Sequence, residues 1–255
     1  MFILKVIFSS NRFEYLARTL KHQSKLDFGN HKTRGIIIDD YPLNRNDDNI
    51  RFLAKQYGYD EVILHKQNIG ITGTWSELFD YLKTKNFDYI WHQEDDTEII
   101  YPIKVDTMID LLNTDKKLAQ VQLKRQAWYD FEKPVLLEDS DIDFGEYKYN
   151  RRTDYFWSMA SLYPSWITRL PIKEELGYNC SESTIMWYLK NRFDLASGVI
   201  KDKEGRNLVN HIGEYYQGIR TSSPKDPGYE SFSKFDPTVK YCSKTGLWLG
   251  SNIKK

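Results

Sequence analysis

The chain has 255 residues, 40% hydrophobic and 28% charged, a balance that supports a globular core and excludes a disordered or collagen-like chain. Its 36 basic and 36 acidic residues leave no net charge, so no overall field draws it to nucleic acid or an anionic membrane. Two cysteines, Cys180 and Cys242, match no Cys/His metal spacing, which excludes a disulfide framework or zinc module and fits a reducing, cytoplasmic setting.

The first twelve residues hold too short an apolar run for a secretory leader, and no later stretch reaches the length of a membrane span. Phe2 to Phe8 is rich in β-formers and reads as a strand. The polar Ser9-Ser10-Asn11-Arg12 follows, and Glu14 to Leu20 reads as a helix. Gly35 to Ile38 is an apolar run without polar alternation, as in a strand covered on both faces, and it ends in Asp39-Asp40-Tyr41-Pro42. Asn49 to Tyr57 reads as a helix, Glu61 to His65 as a strand, and Trp75 to Lys83 as a helix that follows the loop Asn68 to Gly73. Phe87 to His92 is a fourth strand, followed by a helix near Ile103 to Leu112 and a strand at Leu118 to Leu123.

This alternation predicts an α/β fold with a mainly parallel central sheet, helices on both faces, and ligands at the carboxyl ends of the strands. Trp128 to Arg152 is irregular and acidic and reads as a long loop or small hairpin. Tyr178 to Phe193 reads as a loop followed by a helix, and the chain beyond Gly213 is Ser/Pro/Gly-rich without periodicity. One domain is expected, with residues 1–125 as its first half and 126–255 as a second half with an irregular C-terminal extension. Aromatic residues reach 15%. Those at Trp128, Tyr129, Tyr155, Phe156, Trp157 and Trp166 either pack or stack on sugar rings or a base.

The strongest local signal is Gln93-Glu94-Asp95-Asp96, where a buried-type strand runs into three consecutive carboxylates. A hard divalent cation would offset their repulsion and bridge to a diphosphate. The alternative is that one carboxylate caps a helix after Asp96 while the others are solvated. Asp39-Asp40 is ordinary turn chemistry, or an acceptor pair for ribose hydroxyls or a base N–H. The Asn68 to Thr74 loop has neither the Walker nor the GxGxxG pattern and serves equally as a helix start with Thr74 at the cap.

In order, Ser9-Ser10-Asn11-Arg12, Asp39-Asp40, Asn68-Ile69-Gly70 and Glu94-Asp95-Asp96, each at the end of or after a strand, resemble the motif set of the GT-A glycosyltransferases, especially the family-2-like ones. The likeness covers the first half of the chain and rests on the ordered set rather than on one motif. It implies a metal-dependent, inverting transfer of a sugar from a nucleotide-diphosphate donor to a glycan or other hydroxyl acceptor, with Mn2+ or Mg2+ as cofactor. By this resemblance Ser9, Asn11, Arg12, Asp39 and Asn68 hold the nucleotide. Asp96 is the metal ligand of a DxD-like element, and Glu94 and Asp95 contact ribose or metal-bound water. Glu94 departs from the strict Asp-x-Asp form.

The resemblance also places a carboxylate base at the start of a helix beyond the sheet, which selects Glu182, with Glu175 and Asp154 in reserve. A Glu in a first helical turn is also simply favoured by the helix dipole. His211, in Asn210-His211-Ile212-Gly213, is similar to a His-Ile-Gly segment that coordinates metal or phosphate in such enzymes; a lone His is otherwise structural. Arg220 and Lys225 are candidates to close over a diphosphate. Two other readings compete: a sugar nucleotidyltransferase, whose Gly-rich cationic first loop is missing here, and an inactive carbohydrate-binding module, which has no need of the full acidic set.

Overall fold

The computed structural model describes residues 1–42, 45–125, 141–153, 156, 159–176 and 181–212, together with the backbone of 240–242 and 247–249. The readings for Trp128, Tyr129, Asp154, Tyr155, Trp157, Arg220 and Lys225 lie outside these residues.

The chain begins β1 (Phe2–Ser9), α1 (Phe13–His22), β2 (Leu26–Asp27), β3 (Lys32–Asp39), α2 (Asp47–Gln56), β4 (Glu61–Leu64) and α3 (Gly70–Leu82). It continues through β5 (Tyr89–Glu94), β6 (Thr97–Ile99), β7 (Ile103–Lys104), α4 (Val105–Thr114) and β8 (Leu118–Leu123). Next come β9 (Ile142–Phe144), β10 (Tyr147–Arg152), β11 (Ser161–Pro164), α5 (Ile172–Leu176), α6 (Glu182–Phe193), β12 (Ala196–Asp202) and β13 (Val209–His211), with β14 (Lys240–Cys242) and β15 (Leu247–Leu249) pairing only with each other.

Nine strands form one sheet in the order β4-β3-β1-β5-β11-β8-β12-β10-β9. The first four are parallel, as the alternation of apolar runs and helices predicts. Beyond β5 the sheet becomes mixed: β11 runs antiparallel to both β5 and β8, β12 is parallel to β8, and β10 and β9 add antiparallel edges. The stretch expected to be irregular therefore contains a hairpin, β9–β10, that joins the main sheet and buries Tyr149 and Asn150.

Strands without polar alternation bury both faces. Leu4, Val6, Phe8, Ile36 and Ile38 pack beneath Trp75, Leu78 and Phe79 of α3 and Ile185 and Leu189 of α6. Ile3, Trp91, Val121 and Leu162 pack against Met108 and Leu111 of α4 on a second face. Ile7 and Ile37 meet Leu16 and Leu20 of α1 and Ile50 and Leu53 of α2. Each helix thus presents one apolar stripe at i, i+3, i+4 spacing to the sheet.

Two local expectations change. Helix α3 starts at Gly70, and Thr74 is not its cap but lies inside it, with its hydroxyl donating to the Gly70 carbonyl at 3.0 Å. No helix follows Asp96: the strand β6 does, because Thr97 to Ile99 pairs with the distant β13. No helix among the described residues is long and apolar enough to cross a membrane.

Candidate metal and nucleotide site

The strand register assembles the acidic clusters. Ser9 lies beside Asp39 and Phe8 beside Glu94, so the carboxyl ends of β1, β3 and β5 form one edge. Backbone bonds extend this order one residue beyond the strands: Asp40 N donates to Ser9 O at 3.0 Å and Asp95 N to Phe8 O at 2.9 Å.

The three carboxylates divide by direction, because β5 ends at Glu94 and the chain turns through Asp95 and Asp96 before β6. Asp95 is fully buried and turns to the first loop: Ser9 Oγ donates to it at 3.0 Å, Ser10 N at 3.1 Å, and the Arg12 guanidinium clasps both of its oxygens. Glu94 and Asp96 share the other direction and meet His211, their ligating atoms all within 4.8 Å of one another. His211 Nε2 lies 3.2 Å from Asp96 Oδ2, and Ile212 N donates to the Asp96 carbonyl at 2.8 Å.

Asp96 Oδ1 is buried and has no hydrogen-bond partner among the described residues. A buried carboxylate oxygen is costly to leave unsatisfied, and this one belongs to a trio of two carboxylates and an imidazole, a donor set suited to a divalent cation such as Mn2+. The residues therefore fit the cation that the sequence implies.

Arg12 ties the two halves together, since its NH1 also donates to Asp96 Oδ2 at 2.8 Å. Burial opposes its charge, but Asp95 and Asp96 outweigh that and raise its pKa further. Burial pushes the Asp95 carboxyl up to about 6 against the pull of Arg12. Burial also opposes ionisation of Asp96, yet Arg12 and His211 hold that carboxyl well below the usual carboxylate range.

Asp39 and Asp40 have separate tasks. Asp39, wholly buried, accepts from Asn11 N at 2.7 Å and Tyr41 N at 3.3 Å, and Arg45 NH1 donates to it at 3.1 Å. It shapes the first loop, where Asn11 takes a φ of +54°, a conformation Asn tolerates better than most residues. Asp40 accepts from Ile69 N at 2.9 Å and Gly70 N at 2.7 Å, so it caps α3 from across the edge, and His65 Nδ1 lies 2.7 Å away. Asn68 Oδ1 also accepts from Gly70 N at 2.9 Å.

Glu182 is the first residue of α6, whose cap is Ser181 with its hydroxyl accepting from Thr184 N at 3.2 Å; the Glu182 carbonyl accepts from Phe156 N at 3.2 Å. Of the reserve carboxylates, Glu175 pairs with Arg192 at 3.1 Å on the surface. Phe156 is core, 4.9 Å from Tyr163 and 5.9 Å from Trp75 between ring centres, so its role is packing.

Sequence reasoning did not single out Arg45, Arg18 or Glu98. Arg18 forms a buried pair with Glu98, its NH2 donating at 2.9 Å, directly behind the strand that carries Asp96 onward to β13. A buried Arg on the apolar stripe of α1 opposite an acidic residue was the available signal, but it needs the fold to be read.

No protein-family model matches the chain, and no curated protein is similar to it in sequence. Among solved structures, it is similar to the mannosyltransferase PcManGT from Pyrobaculum calidifontis in complex with GDP-Man and Mn2+, at 11% identity over 79% of this chain and 55% of that one, with a TM-score of 0.54. It is similar to S. aureus TarS 1-349 in complex with UDP at 11% identity, covering 86% and 63% of the two chains with a TM-score of 0.53. For GalNAc-T7 with UDP, GalNAc and Mn2+ the values are 12%, 83% and 44%, with a TM-score of 0.52. The chain thus spans about half to under two thirds of the length of these structures, and it has the GT-A fold.

Proposed function

We propose that the protein is a metal-dependent glycosyltransferase that moves a sugar from a nucleoside-diphosphate donor to a glycan or other hydroxyl acceptor. The observation that carries this reading is the meeting of Glu94, Asp96 and His211 at the carboxyl edge of a GT-A sheet, with a buried Asp96 oxygen that no described residue satisfies. Similar folds in PcManGT and GalNAc-T7 were solved with Mn2+ and a sugar nucleotide or its parts, which supports the same class of ligand here.

In this reading residues 1–125 form the donor side and 126–255 the acceptor side. Ser9, Asn11, Arg12, Asp39 and Asn68 surround the nucleotide, with Asp95 holding the first loop in place. Glu94, Asp96 and His211 hold a divalent cation, Mn2+ or Mg2+, which when bound neutralises charge gathering on the leaving diphosphate. Glu182 takes the proton of the acceptor hydroxyl as its oxygen attacks the anomeric carbon. The bond from that carbon to the diphosphate oxygen breaks, and the nucleoside diphosphate leaves with the electron pair, inverting the anomeric centre. A carboxylate at a helix N-terminus is favoured in its ionised form, the form a general base requires.

The test is release of nucleoside diphosphate from a panel of sugar nucleotides by the wild type, Glu182→Gln and Asp96→Asn. Removal of a general base lowers turnover by about a hundredfold or more, so Glu182→Gln should lose that factor in kcat while keeping donor affinity. Release that is indifferent to metal and unaltered in both variants rules the mechanism out.

A further inference from the structure

Three successive carboxylates at one sheet edge need positive charge even when no cation is bound, and Arg12 supplies it. Its guanidinium reaches Asp95 through Nε and NH2 and Asp96 through NH1 at 2.8 Å. Asp96 Oδ2 is thereby engaged twice, by Arg12 and by His211 Nε2 at 3.2 Å. Oδ1 of the same carboxylate is left without a partner among the described residues.

We infer that Arg12 is the resident counter-ion of this site, and that its grip on Asp96 makes binding of a divalent cation depend on simultaneous binding of a nucleoside diphosphate. The inference rests on the cation-site reading above. Asp96 is only 4% exposed, so two positive groups on its carboxylate repel each other with little screening by water. A cation alone would share the Asp96 carboxylate with the Arg12 guanidinium, and the only other anion Arg12 pairs with among the described residues is Asp95. A diphosphate offers the planar guanidinium a bidentate partner as Asp96 is released from it to the cation. Arg12 is placed for that exchange, at the residue preceding α1 and partly open to solvent. In this scheme it binds the diphosphate, and the two ligands are coupled through it.

The sign of the effect separates this role from that of a plain brace. A brace, once removed, loosens Asp96 and weakens cation binding. A competing counter-ion, once removed, leaves uncompensated carboxylates and strengthens it.

The experiment titrates Mn2+ alone, read from the paramagnetic resonance of the free ion, into the wild type, Arg12→Gln, Arg12→Lys and the double variant Arg12→Gln/Asp96→Asn. The titrations are then repeated with UDP and with GDP present. Arg12→Gln should bind Mn2+ alone about tenfold more tightly than the wild type, within the usual span of coupling between bound groups. The additional tightening contributed by the diphosphate should shrink by the same factor. Arg12→Lys, which keeps the charge but spans one carboxylate rather than two, should fall between them and serves if the Gln variant does not fold. Equal or weaker Mn2+ binding in Arg12→Gln, or in Arg12→Lys where only that variant folds, overturns the inference. Failure of the cation-site reading is a distinct result: Mn2+ bound by Arg12→Gln would then survive the added Asp96→Asn substitution.

Discussion

His211 Nε2 lies 3.2 Å from Asp96 Oδ2, and the contact is made by a ladder between two short strands rather than by the local chain. Thr97 pairs with His211 and Ile99 with Val209, so the strand leaving the acidic edge is the one that brings the imidazole back to it. Because Glu94 and Asp96 each offer one oxygen and His211 one nitrogen, the loss of the imidazole removes a third of the donor set. His211→Ala is expected to raise the Mn2+ dissociation constant about tenfold or more, the scale of effect seen when metal-site partners are removed. The check is calorimetric titration in the presence of a nucleoside diphosphate, and an unchanged constant would take His211 out of the ligand set.

The ladder is anchored from behind by Glu98, which accepts from the Arg18 guanidinium in the core, with His22 Nε2 at 3.7 Å and Asn210 Nδ2 at 3.5 Å. Removing one partner of a buried ion pair strands the other's charge and costs about 3–5 kcal/mol. Glu98→Ala should therefore lower unfolding free energy by about 3 kcal/mol or more in urea titrations. A loss near zero would show that Arg18 finds other compensation and that the ladder stands without this anchor.

The first four parallel strands were legible because each is an apolar run that ends in polar residues: Gly35 to Ile38 could only be a strand covered on both faces. The second half hid itself in its polar residues. Strand β10 reads Tyr147-Lys148-Tyr149-Asn150-Arg151-Arg152, and its place in the sheet depends on partners elsewhere: Asp115 receives Tyr149 Oη at 2.8 Å and Arg151 Nε at 2.7 Å. The start of α3 was misjudged for a related reason. Gly70, Thr72, Gly73 and Thr74 are weak helix formers, and the start of their helix is capped by a carboxylate just past β3, Asp40. In the site, the acidic run at Glu94 was visible from sequence, whereas the way Asp95 parts from its neighbours to hold Arg12 follows only from the register of β1 and β5.

The Asp40 cap also carries a titratable partner. The hydrogen bond to Asp40 raises the His65 pKa above its ordinary value, burial partly offsets this, and Glu77, 2.9 Å from Nε2, adds to the rise. A histidine with a raised folded pKa contributes stability that is fully present below its unfolded pKa of about 6.5 and is lost as pH climbs through the folded value. The melting-temperature advantage of wild type over His65→Gln should therefore be larger at about pH 6 than at about pH 9. A constant difference across that range would mean that folding leaves the His65 pKa unchanged.

In the proposed mechanism a nucleoside diphosphate binds at this edge together with a divalent cation held by Asp96. Thermal unfolding of wild type and Asp96→Ala with UDP, GDP, CDP and TDP, each with and without Mn2+ or Mg2+, tests it most directly, since a ligand that binds only the folded state raises the melting temperature with its occupancy. The melting temperature should rise with one of these diphosphates only when the metal is present, and should not rise in Asp96→Ala. No rise in the wild type under any condition, or an equal rise in Asp96→Ala, would contradict it.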